Sequence, residues 1–185
     1  MTEKEKMLAG DLYDASSPLL VRERENARRL TRLYNATEET DYDSRRRLLA
    51  ELLGEAGPDL VIEPPFYCDY GSHITLGSHV FINFGCVVLD VSAVRIGSYV
   101  QIGPGVHIYA ARHPLEAAAR KSGLELGSPV SLADNVWIGG GTIINPGVSI
   151  GENTVVGSGS VVTHDLPANV LAAGNPCRII RPLTY

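Results

Sequence analysis

Between positions 96 and 163 the chain repeats with a period that fits neither a helix nor an ordinary strand. An aliphatic residue returns at every sixth place, at Ile96, Ile102 and Ile108 and again at Leu132, Ile138, Ile144, Ile150, Val156 and Val162. Four places after most of these stands a second small or β-branched residue: Val100, Val106, Val136, Thr142, Val148, Thr154 or Ser160. Glycine or another small or polar residue usually follows the aliphatic directly. Each hexad therefore turns two side chains inward, whereas helices repeat near 3.6 and strands at 2. Such a repeat predicts a mainly β chain folded as a parallel β-helix, whose short flat strands stack as coils and bury their apolar edges only against neighbouring coils.

The interruptions of the pattern are as informative as its regular part. Leu76, Ile82 and Val88 keep the six-residue step and an eight-residue step then leads to Ile96, which predicts a two-residue bulge near 91–93. Leu132 lies 24 places after Ile108, in phase, yet Pro114 and Arg120 stand where the core demands an aliphatic. Residues 109–129 are therefore expected to leave the coil. A long excursion orders a segment that buries little, and chemistry is the usual reason to keep one.

Upstream of the repeats the period is helical. Thr2 with Glu5 forms a capping box and Gly10 is a stop, so a short helix is expected over 2–9. Ser17 as cap and Pro18 in the first turn open a second helix, with Leu20, Ala27, Leu30 and Tyr34 on one face and an end near Asn35. A third begins around Asp41 and carries Leu48, Leu49, Leu52 and Leu53 before Gly54. Pro64-Pro65 marks the change of structure. The reading is a helical region over 1–58 packed on a β-helix over 59–185, with a tail over 164–185 covering an end whose backbone groups would otherwise be unpaired.

Composition narrows the function by exclusion. With 16 basic and 21 acidic residues the net charge is −5, which gives no general attraction to nucleic acid or an anionic membrane. Neither a spanning segment of ~20 apolar residues nor the apolar core of a signal peptide is present in the sequence, so a cytoplasmic location is expected. Interleaved glutamates make the arginine-rich stretches at Arg22, Arg24, Arg28 and Arg29 and at Arg45, Arg46 and Arg47 read as solvated faces. Cys68, Cys86 and Cys177 lack metal-ligand spacing and read as reduced thiols, with Cys86 a buried apolar residue at an inward position.

Several stretches carry a resemblance to a known family: Cys68-Asp69-Tyr70-Gly71, Ile82-Asn83-Phe84, Leu89-Asp90-Val91, Ala111-Arg112-His113-Pro114, Asn135-Val136-Trp137-Ile138-Gly139, Ile144-Asn145-Pro146-Gly147-Val148 and Gly174-Asn175-Pro176-Cys177-Arg178. Together with the opening Met7-Leu8-Ala9-Gly10-Asp11-Leu12-Tyr13, they resemble the sugar O-acetyltransferases of the hexapeptide-repeat superfamily nearly end to end. The maltose enzymes are most similar; galactoside and nodulation-factor enzymes follow. The resemblance implies a left-handed β-helix with three hexads per coil, a hand that the usual crossover rule would not give. It also implies acetyl-CoA as co-substrate, no metal, a small sugar acceptor and a homotrimer with active sites between subunits.

Moving an acetyl group from a thioester to a hydroxyl needs a base, and histidine is suited to that near neutral pH. His113 stands in the excursion and matches the family's catalytic histidine. Asn83 matches a residue beside the acetyl group and the acceptor, and Asp69 a substrate contact. Where the galactoside enzymes place another aspartate this chain has Ala15 with Asp14 adjacent, and a further acidic contact is replaced by Val91. For acetyl-CoA the resemblance points to Trp137, Gly139, Gly140, Ser158, Thr163, His164, Arg178 and Arg181, with His164 standing where much of the family has lysine. The expected reaction is acetyl transfer to a hydroxyl of a maltose- or glucose-like sugar by direct attack. Galactosides, nodulation-factor-like oligosaccharides, antibiotics and serine are alternative acceptors. Two more distant readings are a non-catalytic scaffold and a γ-type carbonic anhydrase, the latter because His107 and His113 fall at equal hexad positions and could stack on successive coils.

Overall fold

Two inward side chains per hexad become three-sided coils in the computed structural model, which describes residues 1–184. Each coil gives one short strand to each of three parallel sheets. The first sheet runs Glu55–Ala56, Ile74–Leu76, Val94–Ile96, Val130–Leu132, Ser149–Ile150. The second runs Val61–Ile62, Phe81–Ile82, Gln101–Ile102, Trp137–Ile138, Val155–Val156, Val170–Ala173 and ends with an antiparallel strand, Arg178–Pro182. The third runs Phe66–Cys68, Cys86–Leu89, His107–Tyr109, Ile143–Ile144, Val161–Val162.

Register puts aliphatic on aliphatic. Ile62, Ile82, Ile102, Ile138 and Val156 pair in succession on the second sheet, and Val88, Ile108, Ile144 and Val162 on the third. All of these are buried. Thr142, Thr154 and Ser160 occupy inward places too, and each hydroxyl donates to a backbone carbonyl, of Gly139 (2.7 Å), Pro167 (2.6 Å) and Gly157 (2.5 Å) respectively. Buried polar groups so paired avoid the cost of desolvation. Coil spacing is tight enough that a Cβ on Gly139 would lie 2.5 Å from the Ser158 nitrogen.

One corner has a pattern that the hexad analysis missed. Asp59, His79, Tyr99, Asn135 and Asn153, each between a strand of the first sheet and one of the second, and Asn169, between the isolated bridge at Leu166 and the Val170–Ala173 strand, have φ of 56–59°. Asparagine tolerates this left-handed region better than most residues. The side chains then stack: Asn135 Nδ2 donates to Asn153 Oδ1 and Asn153 Nδ2 to Asn169 Oδ1, both at 2.9 Å. Further along the same row, the His79 ring lies 4.8 Å from that of Tyr99.

Helix α1 (Glu3–Ala9) has both halves of its capping box, and Gly10 closes it at φ 79°. Helix α2 (Pro18–Asn35) departs from expectation at its start, since the Ser17 side chain makes no capping bond. Helix α3 (Tyr42–Leu52) is capped by Asp41, whose carboxylate accepts from the Ser44 N–H. Ala27, Leu30, Tyr34, Leu49, Leu52 and Leu53 from α2 and α3 and the turn beyond join the main core. Tyr34 donates to the Ile62 carbonyl, and the Asn35 amide brackets the backbone of Phe66, accepting from its N–H (2.8 Å) and donating to its carbonyl (2.9 Å). The strand Glu55–Ala56 already belongs to the first sheet, so the coils begin ahead of the expected boundary at 59. Not every arginine is solvated either. Arg24 donates to Tyr70 Oη (2.8 Å) and the Ala15 carbonyl (2.7 Å), and Arg45 donates to Thr37 Oγ1 (2.9 Å). No helix among the described residues is long and apolar enough to cross a membrane.

The bulge expected near 91–93 is a loop over 90–93, stacked on a matching loop over 69–73. The excursion is slightly shorter than 109–129. Tyr109 still pairs with Leu89, and the Ser128 N–H donates to the Ala110 carbonyl (2.9 Å) as the chain returns. Between them Ala111–Arg112 and Leu126–Gly127 form an antiparallel pair, and a short helix, α4 (Ala117–Lys121), lies at the tip. Because Ile138 is fully buried between Ile102 and Val156, Ile138→Ala should destabilise the fold by about 2–5 kcal/mol in denaturant melts. An unchanged midpoint would mean the inward row is not the source of stability.

Candidate active site

The excursion would be a loose arm if the chain did not fasten it. Met7, Tyr13, Leu20, Tyr70 and Val91 form a second small core, against which Ala15 and Ala111 pack. Tyr13 and Glu125 exchange two backbone hydrogen bonds, both at 3.0 Å, and the Tyr13 hydroxyl donates to Glu125 Oε2, also at 3.0 Å. Gly127 lies so close to the 90–93 loop that a Cβ would stand 2.8 Å from that of Ser92. His113 emerges just past this clamped base, exposed, and its ring makes no hydrogen bond among the described residues.

Beside the arm lies a cleft of about 600 Å³, lined by Asp14, Ala15, Ser16, Val21 and Arg24 and by the arm's Ser122, Gly123 and Leu124. Asp14 Oδ1 accepts from the Ser16 hydroxyl (2.6 Å) and N–H (2.8 Å), which hold its carboxyl below the usual range. Arg24 connects the cleft to Tyr70, next to Asp69. Burial, followed by the nearby charge of Asp90, pushes the Asp69 carboxyl up to about 6; Arg24 and Arg28 pull against this and Glu125 adds to it. Burial likewise raises the thiols of Cys68, Cys86 and Cys177, all free, so none is an activated nucleophile.

Other predicted residues lie at a different corner, between the second and third sheets. Asn83 is there, its Oδ1 accepting from the Phe84 N–H (2.8 Å) and its Nδ2 without a partner among the described residues. In later coils the same corner carries Gly139, Gly140 and Ser158, while Trp137 lies half exposed on the adjoining strand. Arg178 and Arg181 belong to the exposed antiparallel strand at the end of that sheet. Thr163 and His164 follow the third sheet instead, with Thr163 Oγ1 2.9 Å from His164 Nδ1. Within one chain, then, His113, Asp69 and Asp14 gather on one side, and Asn83 with the glycine corner on another. His107 does not stack on His113: its ladder partners are Val87 and Ile143, because His113 has already left the coil. The Tyr13–Glu125 clamp had no signal in the hexad pattern, since it joins residues far apart in sequence.

Comparison with known proteins agrees with this architecture. Residues 6–57 match the family model described as maltose acetyltransferase hexapeptide capping motif, and residues 129–164 match bacterial transferase hexapeptide (six repeats). The chain is 49% identical over 178 residues to nodulation protein L of Rhizobium meliloti (strain 1021), covering 96% of this chain and 97% of that protein. Its fold is similar to that of a maltose O-acetyltransferase from Clostridium difficile 630 (TM-score 0.99, 51% identity, 100% and 99% of the two chains). It is also similar to a galactoside acetyltransferase solved in complex with coenzyme A (TM-score 0.96, 38% identity, 100% and 92%). The chain belongs to the hexapeptide-repeat acetyltransferases and is an acyltransferase.

Asp69 offers a test of the site's electrostatics. Its folded value of about 6 lies above that of an unfolded aspartate (~3.9), so the native state is penalised as pH rises through that interval and fully so above it. Asp69→Asn should therefore stabilise the protein above pH 6 by on the order of 2 kcal/mol and give no gain below pH 4. Denaturant melts across pH check this; a loss of stability at pH 7 would contradict it.

Proposed function

We propose that the protein transfers an acetyl group from acetyl-CoA to a hydroxyl of a maltose- or glucose-like sugar. What carries the reading is an exposed histidine on a clamped arm, another part of which lines a cleft with an aspartate and an arginine, in a chain of this family. His113 takes the proton as the hydroxyl oxygen attacks the thioester carbonyl, and the tetrahedral intermediate collapses with cleavage of the C–S bond. His113 then gives the proton to the departing thiolate, so charge balances and no acyl-enzyme forms. The Asn83 Nδ2 donates to the developing oxyanion or orients the hydroxyl. Asp69 and Asp14 accept hydrogen bonds from other sugar hydroxyls.

Acetyl-CoA lies along the glycine corner, where Gly139 and Gly140 admit the ligand to the main chain and Ser158 and Trp137 flank it. Thr163, His164, Arg178 and Arg181 hold its phosphates. Since His113 and Asn83 occupy different corners of one chain, the complete site combines two copies in a homotrimer. The outward row of the third sheet, Tyr67, Val87, His107, Ile143 and Val161, is the largely apolar surface between them. Three buried free thiols suit a reducing compartment, the cytoplasm.

Thiol release from acetyl-CoA with glucosides, maltose, galactosides and serine as acceptors tests the substrate; turnover with serine alone, or with no sugar, would overturn it. His113→Ala should lower kcat about a hundredfold or more with the KM for acetyl-CoA within about twofold, and near-normal turnover would reject the base. Sedimentation should give a trimer, and an active monomer would reject the shared site.

A further inference from the structure

Asp90 has no part in the chemistry above, yet it is the only acidic side chain in the buried set among the described residues, with no exposed surface. Its Oδ1 accepts from the N–H groups of Asp69 (3.1 Å) and Tyr70 (2.9 Å), and its Oδ2 from that of His73 (3.3 Å). Its own carbonyl lies 2.7 Å from His73 Nδ1. One side chain in the loop over 90–93 thus organises the loop over 69–73 in the coil before it. Accepting on both oxygens and donating from neither is the pattern of an ionised carboxylate. Burying that charge costs more than burying a neutral acceptor of similar size would. Donors on both oxygens leave no place for a proton or an amide, so the three N–H groups keep a charge at this loop, next to a second carboxyl.

That second carboxyl belongs to Asp69. We propose that Asp90 is a positioning residue for the acceptor: it fixes the loop that carries Asp69 and Tyr70, and with Tyr70 the Arg24 guanidinium. The inference rests on the reading of Asp69 as an acceptor contact. Asp69 is faced by Asp90 from the next coil, Arg24 and Arg28 from α2, Glu125 from the arm and the hydroxyls of Tyr13 and Tyr70. After burial, Asp90 is the largest influence on it. Asp90 itself is pushed up by burial and held down by the Tyr70 N–H, the His73 ring and the His73 N–H. An ionised Asp69 accepts from sugar hydroxyls and a protonated one gives up part of that capacity, so the acceptor KM rises as pH falls through about 6.

The test is the pH dependence of the acceptor KM for the wild-type enzyme, Asp90→Asn, Asp69→Asn and the double variant, with a sugar the wild type turns over and acetyl-CoA saturating. Asp90→Asn should raise the acceptor KM about tenfold or more, because an amide must oppose at least one of the three N–H groups, and leave the KM for acetyl-CoA within about twofold. It should also move the acid limb of the acceptor KM to lower pH, a displacement that a merely structural residue would not cause. Asp69→Asn should flatten that limb while leaving the acid limb of kcat in place, and the double variant should resemble Asp69→Asn in pH profile. An acid limb that stays put in Asp90→Asn overturns the proposal, as does a chain that does not fold, which assigns Asp90 to the fold alone. Asp69→Asn with an unchanged acceptor KM overturns it whatever Asp90→Asn does. A wild-type enzyme that turns over no sugar instead defeats the functional reading on which the proposal stands.

Discussion

The hydrogen-bonded ladder between successive coils is the constraint on which the other features depend. Parallel strands sit ~4.8 Å apart, and the inward rows must remain filled at that spacing. The faces of the coils therefore admit little variation in length or in side-chain size. Ile138 between Ile102 and Val156 and the side-chain-free approach at Gly139 are consequences of the same spacing. Insertions can go only where the chain turns, so the three corners divide the remaining tasks. One is a ladder of left-handed residues ending in Asn135, Asn153 and Asn169, with a structural role. The second is glycine-rich and open. The third takes every insertion: the loops over 69–73 and 90–93, and the arm.

Insertions at a corner lose the ladder and must be ordered by other means. Here the means are side chains from neighbouring coils and from the N-terminal segment. Asp90 supplies acceptors to the 69–73 loop, Tyr13 supplies a strand-like pair and a hydroxyl to Glu125, and Arg24 reaches from α2 to Tyr70. The helices are thus more than a cover for the first coil. Placing a carboxylate in the interior and holding another near 6 opposes stability, and such opposition is common where side chains are arranged for a ligand and not for the fold.

The hexad period made the core legible residue by residue, because an inward place needs an apolar or small side chain whatever lies elsewhere. The bulge before Ile96 and the break after Ile108 were legible for the same reason: phase is a local property. Helix caps behaved likewise at Thr2 and Asp41, whereas Ser17, also a good capping residue, points its side chain to no N–H of α2. What escaped was the pairing of distant residues. Nothing near Glu125 in sequence announces Tyr13, and Asp90 reads as an ordinary loop aspartate until the preceding coil is placed against it. Equal phase also misled at His107 and His113, since phase has no meaning once the chain has left the coil. Where the predicted site residues sit was legible in part from the repeat, which puts Asn83 and Gly139 at equivalent places, but their roles came from the family resemblance.

The separation of the corners bears on how such a chain can act. Asn83 and the glycine corner flank the third sheet on one side, and Asp69 with the arm flanks it on the other. A ligand bound wholly to one chain would have to cross the strands of that sheet, whose outward row is largely apolar and offers few hydrogen bonds to a sugar or a phosphate. In the proposed homotrimer a second copy laid against this sheet would remove the difficulty, bringing its own arm toward the first copy's glycine corner and burying the apolar row at the same time. Under that proposal, catalytic assembly and burial of exposed Tyr67 and its neighbours would have one cause. On this view the arm's clamp matters for a further reason: a histidine presented to another subunit must be held by its own chain before the partner arrives, and Tyr13, Glu125 and Gly127 hold it without any help from outside.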